Sequence, residues 1–372
     1  MRCRMFLLAL LSLGAIACDR TPETKPETKL AASWVGGSLS RGSAGSQPRL
    51  APPPNAAAPK VQAEQQSASA SNASFRVPSR ARLVAIGDVH GDLNALREAL
   101  KLAGAIDSDD RWIGRDLTVV QTGDQLDRGD QDREVLDVLE KLEGEAQKAA
   151  SELIVLNGNH ELMNAGFDFR YVTAKSFATF ADFSSHAPAL AERLPHEARG
   201  RAAAFAPGGP YALKLARHLT VAVVGDSLFA HGGVLPAHVD YGLSRINEQA
   251  SAFLAGKLAA LPPVLAAEDA PVWTRAYGEP ELDASTCVVL ERVLQQVGAV
   301  RMVVGHTVQK GGISAACQDK VFRIDVGLSA YYGDNPTQVL EIAGSKTRVL
   351  TAGAAPAKPK SAPRDSSLHS AP

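Results

Sequence analysis

Five short stretches of the chain put glycine beside a residue able to bind a metal ion or move a proton. They are GDVHGD at 87–92, GDQLDRG at 123–129, NGNHE at 157–161, HGG at 231–233 and GHT at 305–307. In the first, Asp88 and His90 offer a hard carboxylate and an imidazole two residues apart, and the flanking glycines let the backbone turn sharply. Asp124 is a further carboxylate, Asn159 an amide oxygen, and His231 and His306 are further imidazoles. Taken singly, each stretch has a plain reading. An aspartate at a strand end caps a helix, the Asp127–Arg128 pair is a surface turn with a weak ion pair, and His160 is a hydrogen-bonded structural histidine.

What the five share is their position. Each follows a short apolar run, at 82–86, 117–120, 153–156, 228–230 and 301–304, that reads as a buried strand. Helical spacing at 93–102, where Leu93, Leu96, Leu100 and Ala103 recur, is followed by expected helices at 134–146, 243–257 and 285–297. Further strands are expected at 220–224, 321–325, 338–342 and 348–350. This alternation predicts an α/β core whose loops gather at the strand ends. Residues 163–210 read as an irregular helical insertion over the sheet, with Phe167, Phe169, Tyr171, Phe177, Phe180 and Phe183 as its core. Six metal-capable side chains arriving at one crevice would form a costly polar cluster unless something binds them. A pair of divalent cations meets that demand.

The ordered set GDVHG, GDQLDRG, GNHE, HGG and GHT resembles the calcineurin-like metallophosphoesterase superfamily and, within it, the phosphoprotein phosphatases. The stretches NGNHELMNAGFDFRYV, VWTRAYG, VVGHTVQ and RIDVGLS are similar to those of Shewanella-like protein phosphatases, over about residues 82–342. The resemblance implies a four-layer α/β/β/α sandwich with a helical insertion near the active site. It implies that Asp88 and His90 ligate a first metal, that Asp124 bridges two, and that Asn159, His231 and His306 ligate the second. Arg128 and Arg275 correspond to two phosphate-clamping arginines. His160, oriented by Asp127, corresponds to the proton donor to the leaving oxygen. Asp92 stands where many eukaryotic members carry glutamine, and residues 327–332, GLSAYY, replace their toxin-binding signature.

The implied chemistry is hydrolysis of a phosphomonoester. Two cations about 3.5–4 Å apart lower the pKa of a bridging water, so that hydroxide attacks phosphorus. The mixed oxygen and nitrogen ligand set suits manganese, iron or zinc better than calcium. A protein phosphatase acting on phosphoserine, phosphothreonine or phosphotyrosine is the leading reading. A dinucleoside polyphosphate hydrolase, another small-molecule phosphoesterase and a non-catalytic phosphoprotein-binding pseudophosphatase are the alternatives.

The ends of the 372-residue chain read differently. Residues 1–18 have a basic start, at Arg2 and Arg4, then an apolar stretch ending at Ala17, as in a secretion signal. Residues 14–18, GAIAC, also resemble a bacterial lipobox with Cys18 as the lipidated residue, and Asp19 resembles an inner-membrane retention signal. A plain cleaved signal competes with this. Residues 19–76 and 352–372 are rich in small and polar residues, which predicts a flexible tether and tail around a catalytic domain at 77–351. The expected location is the periplasm or cell envelope, with membrane attachment through a lipid on Cys18. There the partner is a phosphoprotein or a small phosphoester. The net charge of −1 and the lack of a basic run argue against nucleic acid. Cys287 and Cys317 can pair in an oxidising compartment, but one sits on an expected helix and the other near a strand. We read them as separate thiols.

Overall fold

The computed structural model describes residues 75–353. The expected signal, the lipobox cysteine, most of the tether and nearly all of the tail lie outside the described residues. The fold begins slightly before the expected boundary at 77. Phe75 is buried, and Arg76–Val77 (β1) pairs in parallel with Val221–Val224 (β5).

Two sheets form the centre. One has the order β11-β10-β2-β3-β4, from Lys346–Thr351 (β11), Gln338–Ala343 (β10), Arg82–Ile86 (β2), Leu117–Gln121 (β3) and Glu152–Val155 (β4). The other has the order β1-β5-β6-β7-β9-β8, adding Ser227–Ala230 (β6), Arg301–Val304 (β7), Val321–Arg323 (β9) and Ser314–Ala316 (β8). Strands β2, β3 and β4 run parallel to one another, as do β6, β7 and β9. Their carboxyl ends therefore point the same way within each sheet.

The apolar runs explain the layering. Successive side chains of a strand face opposite ways, and here both faces are covered. Leu83, Ala85, Val120, Ile154, Ala222, Val224, Phe229 and Val303 form the core between the two sheets. Val84, Ile86, Val119, Leu153 and Val155 face the helices Leu93–Leu102 and Asp132–Lys148. Val221, Val223, Leu228, Met302 and Val304 face helices of the other side, among them Leu243–Leu254 and Ala284–Val297. The result is the four-layer α/β/β/α sandwich that the resemblance implies. Each fully buried Val or Leu contributes about 1.5–3 kcal/mol relative to exposure.

The insertion is irregular, with short helices at Ala174–Ala178, Arg199–Phe205 and Pro210–Leu215. Of its six expected core aromatics only Phe180 is fully buried, against Phe205 and Tyr211. Phe167, Phe169, Phe177 and Phe183 are half-buried, and Tyr171 is exposed.

The reading of two separate thiols is corrected. Cys287 and Cys317 form a disulfide across 30 residues of sequence, with Cα atoms 5.3 Å apart. The helix Ala284–Val297 packs over the sheet beside the β8–β9 hairpin, and the turn that joins those strands presents Cys317 to it. Neither secondary-structure type nor spacing carries that proximity.

Candidate active site

The five glycine-flanked stretches leave the carboxyl ends of β2, β3, β4, β6 and β7, and hydrogen bonds join them into one rim. The amides of Val89 and His90 donate to the Asp124 carbonyl at 3.2 and 3.0 Å, and Gly305 donates to the His231 carbonyl at 2.8 Å. The His306 amide donates to Asp88 Oδ2 at 3.0 Å, which ties one sheet to the other. His90, Asp124, Asp127, Arg128 and His306 all have φ between 44 and 71°, a region L-residues rarely adopt. Gly158 and Gly305 are required by close approach. A Cβ on either would collide with the carboxylate of Asp124 or Asp88.

All six expected ligands meet there, and all are buried. Two trios have their ligating atoms within 4.8 Å of one another, one formed by His90, Asp124 and His160, the other by Asp124, His231 and His306. Asp124 is common to both. Asp88 lies 4.0 Å from His90 Nε2 and 3.9 Å from His231 Nδ1. Asn159 Oδ1 lies 2.9 Å from His231 Nε2, which is 3.2 Å from Asp124 Oδ2.

These atoms fit divalent cations, for a reason of proton accounting. His90 Nδ1 is 3.0 Å from the Leu126 carbonyl, and His231 Nδ1 is 3.0 Å from the Thr122 carbonyl. A carbonyl only accepts, so each Nδ1 must carry the proton in the neutral ring, leaving Nε2 as a lone pair. For His231 that lone pair faces the Asn159 oxygen and the Asp124 carboxylate, three acceptors with no donor between them. A cation resolves the conflict. His306 Nε2 is buried without any hydrogen-bond partner among the described residues, as a waiting ligand atom would be.

The electrostatics agree. Burial pushes His306 down to about 2, helped by the Arg275 charge, and pushes His90 down to about 3, helped by His160 and Arg128. Both rings therefore stay neutral, as ligands must. Burial opposes the charge on Asp124, yet its carboxyl lies well below the ordinary value, with the His160 imidazolium among the causes. Burial, then Asp325, then Asp124 push Asp88 well above its ordinary range. Such crowding of carboxylates is relieved by bound positive charge.

Beside this centre, His160 Nδ1 is 2.6 Å from Asp127 Oδ2, and His160 Nε2 is 3.7 Å from Asp124 Oδ2. Burial depresses the imidazolium, but Asp124 and Asp127 overcome it, so His160 holds its proton to a higher pH than a free histidine. Arg128 reaches to 3.4 Å from His160 Nε2. Its guanidinium sits 5.2 Å from the Tyr171 ring, 5.2 Å from Tyr332 and 5.7 Å from Tyr331. Tyr171 and Tyr331 are 41% and 63% exposed, so this aromatic rim opens to solvent. Arg275 donates to the His306 carbonyl at 3.0 Å and to Thr307 Oγ1 at 2.9 Å, its exposed side chain held at the opposite trio. Asp92 caps the helix Leu93–Leu102 and also accepts from the Ala330 amide at 2.9 Å, anchoring the loop that carries Tyr331 and Tyr332.

Two buried acids escape the sequence reading. Glu161 accepts from the amides of Asp124, Gln125 and Gly158 at 2.7–2.9 Å, fixing the loops that carry Asp124 and Asn159. Burial and then the Asp124 charge push it up to about 7. Its signal lies in the motif itself, where glutamate follows Gly158 by three residues, the capping-box spacing. Asp325 follows β9 and lies against Asp88, with Oδ2 unpartnered among the described residues. No glycine-flanked motif marks it.

Comparison with known proteins meets this geometry from another side. A family model for calcineurin-like phosphoesterases matches residues 81–310. The chain is 43% identical to Shewanella-like protein phosphatase 2 of Arabidopsis thaliana, over 73% of this chain and 77% of that one. It is 29% identical to Shewanella-like protein phosphatase 1 of Plasmodium berghei (strain Anka), over 72% and 74%. Among solved structures, a cold-active protein tyrosine phosphatase superposes with a TM-score of 0.62 at 25% identity, over 76% of this chain and 80% of that one.

Proposed function

Since the chain belongs to the calcineurin-like phosphoesterase family, in its Shewanella-like protein phosphatase branch, and is a metal-dependent hydrolase of phosphoric esters, we propose that it removes phosphate from phosphoproteins, with phosphotyrosine the side chain its site fits best. The observation that carries this reading is the convergence of Asp124, Asn159 and His231, with His231 Nε2 2.9 Å from Asn159 Oδ1 and 3.2 Å from Asp124 Oδ2, beside a buried acid–imidazole pair. The aromatic rim around Arg128 supports an aryl phosphate, whose flat side chain stacks on tyrosine rings. The related structure bears the description of a tyrosine phosphatase.

Asp88, His90 and Asp124 would hold one divalent cation, and Asp124, Asn159, His231 and His306 the other. When bound, the pair supplies Lewis-acid polarisation of the phosphoryl oxygens and an acidified water. Manganese, iron or zinc suits the donors. Arg128 and Arg275 flank the centre with permanent, planar charges that match phosphate oxygens. His160 holds a proton on Nε2 for the leaving oxygen, while Asp127 fixes the ring through Nδ1.

The test is a substrate panel on the purified chain with added manganese. Phosphotyrosyl peptides should be turned over fastest, phosphoseryl peptides more slowly and diadenosine tetraphosphate least. Preferential hydrolysis of the dinucleotide would replace the protein-phosphatase reading.

We further propose export to the cell envelope, with Cys18 lipidated. The Cys287–Cys317 disulfide supports an oxidising compartment. Cys18→Ser should release the chain from the membrane fraction into the soluble envelope fraction, and an unchanged distribution would count against the anchor.

A further inference from the structure

Arg201 lies in the helix Arg199–Phe205 of the insertion, fully buried, 74 residues along the chain from Asp127. Nothing in the ligand or clamp assignments uses it. Its Nε donates to Asn164 Oδ1 at 2.7 Å, and its Nη1 to Ser176 Oγ at 2.8 Å. Its Nη2 meets Asp127 Oδ1 at 3.1 Å and Asp132 Oδ2 at 2.6 Å. Its guanidinium lies 5.2 and 5.0 Å from the rings of Phe180 and Phe205, which keep water away. Ser176 donates in turn to Asp132 Oδ2 at 2.8 Å, and Asp132 Oδ1 accepts from the Asp127 amide at 2.9 Å.

The division of labour on the Asp127 carboxylate is the telling feature. Oδ1 is gripped by Arg201 and by Asn164 Nδ2 at 3.0 Å, and only Oδ2 remains for His160. Two oxygens fixed by three partners leave the carboxylate no freedom to rotate. Asp127 and Asp132 are both fully buried, and without a cation between them one would lose its charge or the pair would separate. A planar fork with donors in several directions suits this place, and a point charge on a flexible stem does not.

We infer that Arg201 is a positioning residue for the proton donor: it locks the Asp127 carboxylate so that His160 points Nε2 at the leaving oxygen, and so makes the helical insertion part of the catalytic apparatus. This rests on the reading of His160 as proton donor. A positioning role for proton donation has a signature that a purely architectural role lacks. Substrates with poor leaving groups need the proton, and those with good ones do not.

The experiment compares phenyl phosphate with 2,4-dinitrophenyl phosphate on the metal-loaded full chain. The double variant Arg201→Met with Asp132→Asn removes the cation and one acid together, so no second buried charge is left bare. Its kcat should fall about 30-fold on phenyl phosphate and less than about threefold on the dinitrophenyl ester. Equal falls on both esters in a folded, metal-loaded protein would overturn the inference. Should that variant not fold, Arg201→Lys decides. It retains charge but not the fork, so a selective loss of about threefold to tenfold is expected, and wild-type ratios would overturn the inference. Asp127→Asn is the control for the underlying reading. If it slows both esters equally, His160 is not the donor. If it is selective and the Arg201 variants are not, the donor reading stands and the inference about Arg201 fails.

Discussion

Asp124 belongs to both ligand trios, so its loss reaches both metal positions at once. Asp124→Asn should lower bound metal on elemental analysis and cut kcat by more than about 100-fold, beyond the cost of losing an outer partner of a ligand. Full metal content with full activity would remove Asp124 from the centre. Arg275 is exposed and, among the described residues, is hydrogen-bonded to His306 and Thr307 alone, so Arg275→Ala should fold normally. Loss of one charge-assisted contact, about 1.5–3 kcal/mol, should weaken inhibition by inorganic phosphate about 10- to 100-fold. Unchanged inhibition would take it out of the clamp. At this scale the sequence was legible wherever chemistry needed glycine beside a polar residue, because steric demand leaves a written trace. Asp325 and Arg201 leave none. Their partners, Asp88 and Asp127, lie far away in sequence and are met only through the fold.

At the scale of elements, Glu161 decides how the β3 and β4 loops meet. Glu161→Gln would place an amide donor against backbone donors and should destabilise the protein by about 1–3 kcal/mol in urea unfolding, with metal affinity falling alongside. A stable variant with normal affinity would make the contact incidental. The strands were readable because burial on both faces forces continuous apolar runs. The insertion was readable only as helical and aromatic. Its short helices bury one side each, and aromatic residues serve equally as core and as rim. Phe180 took the first role and Tyr171 the second, a difference set by the packing of Phe205 and Tyr211 rather than by residue type.

For the whole molecule, the disulfide closes a loop of about 30 residues between the helix Ala284–Val297 and the β8–β9 hairpin. Neither cysteine belongs to the ligand or clamp set. Replacing both cysteines by serine should lower stability by about 2–4 kcal/mol while kcat stays within about twofold. A collapse of activity in folded protein would link the bond to the site. The α/β core followed from the rhythm of the sequence and the four layers from the family resemblance, whereas this crosslink depended on a meeting of distant segments that no local pattern announces. The left-handed backbone at His90, Asp124, Asp127, Arg128 and His306 has its own consequence. Each such position is under tension that glycine would release, so a glycine there should give a sturdier but inert molecule. Robustness is surrendered at five places to aim five side chains.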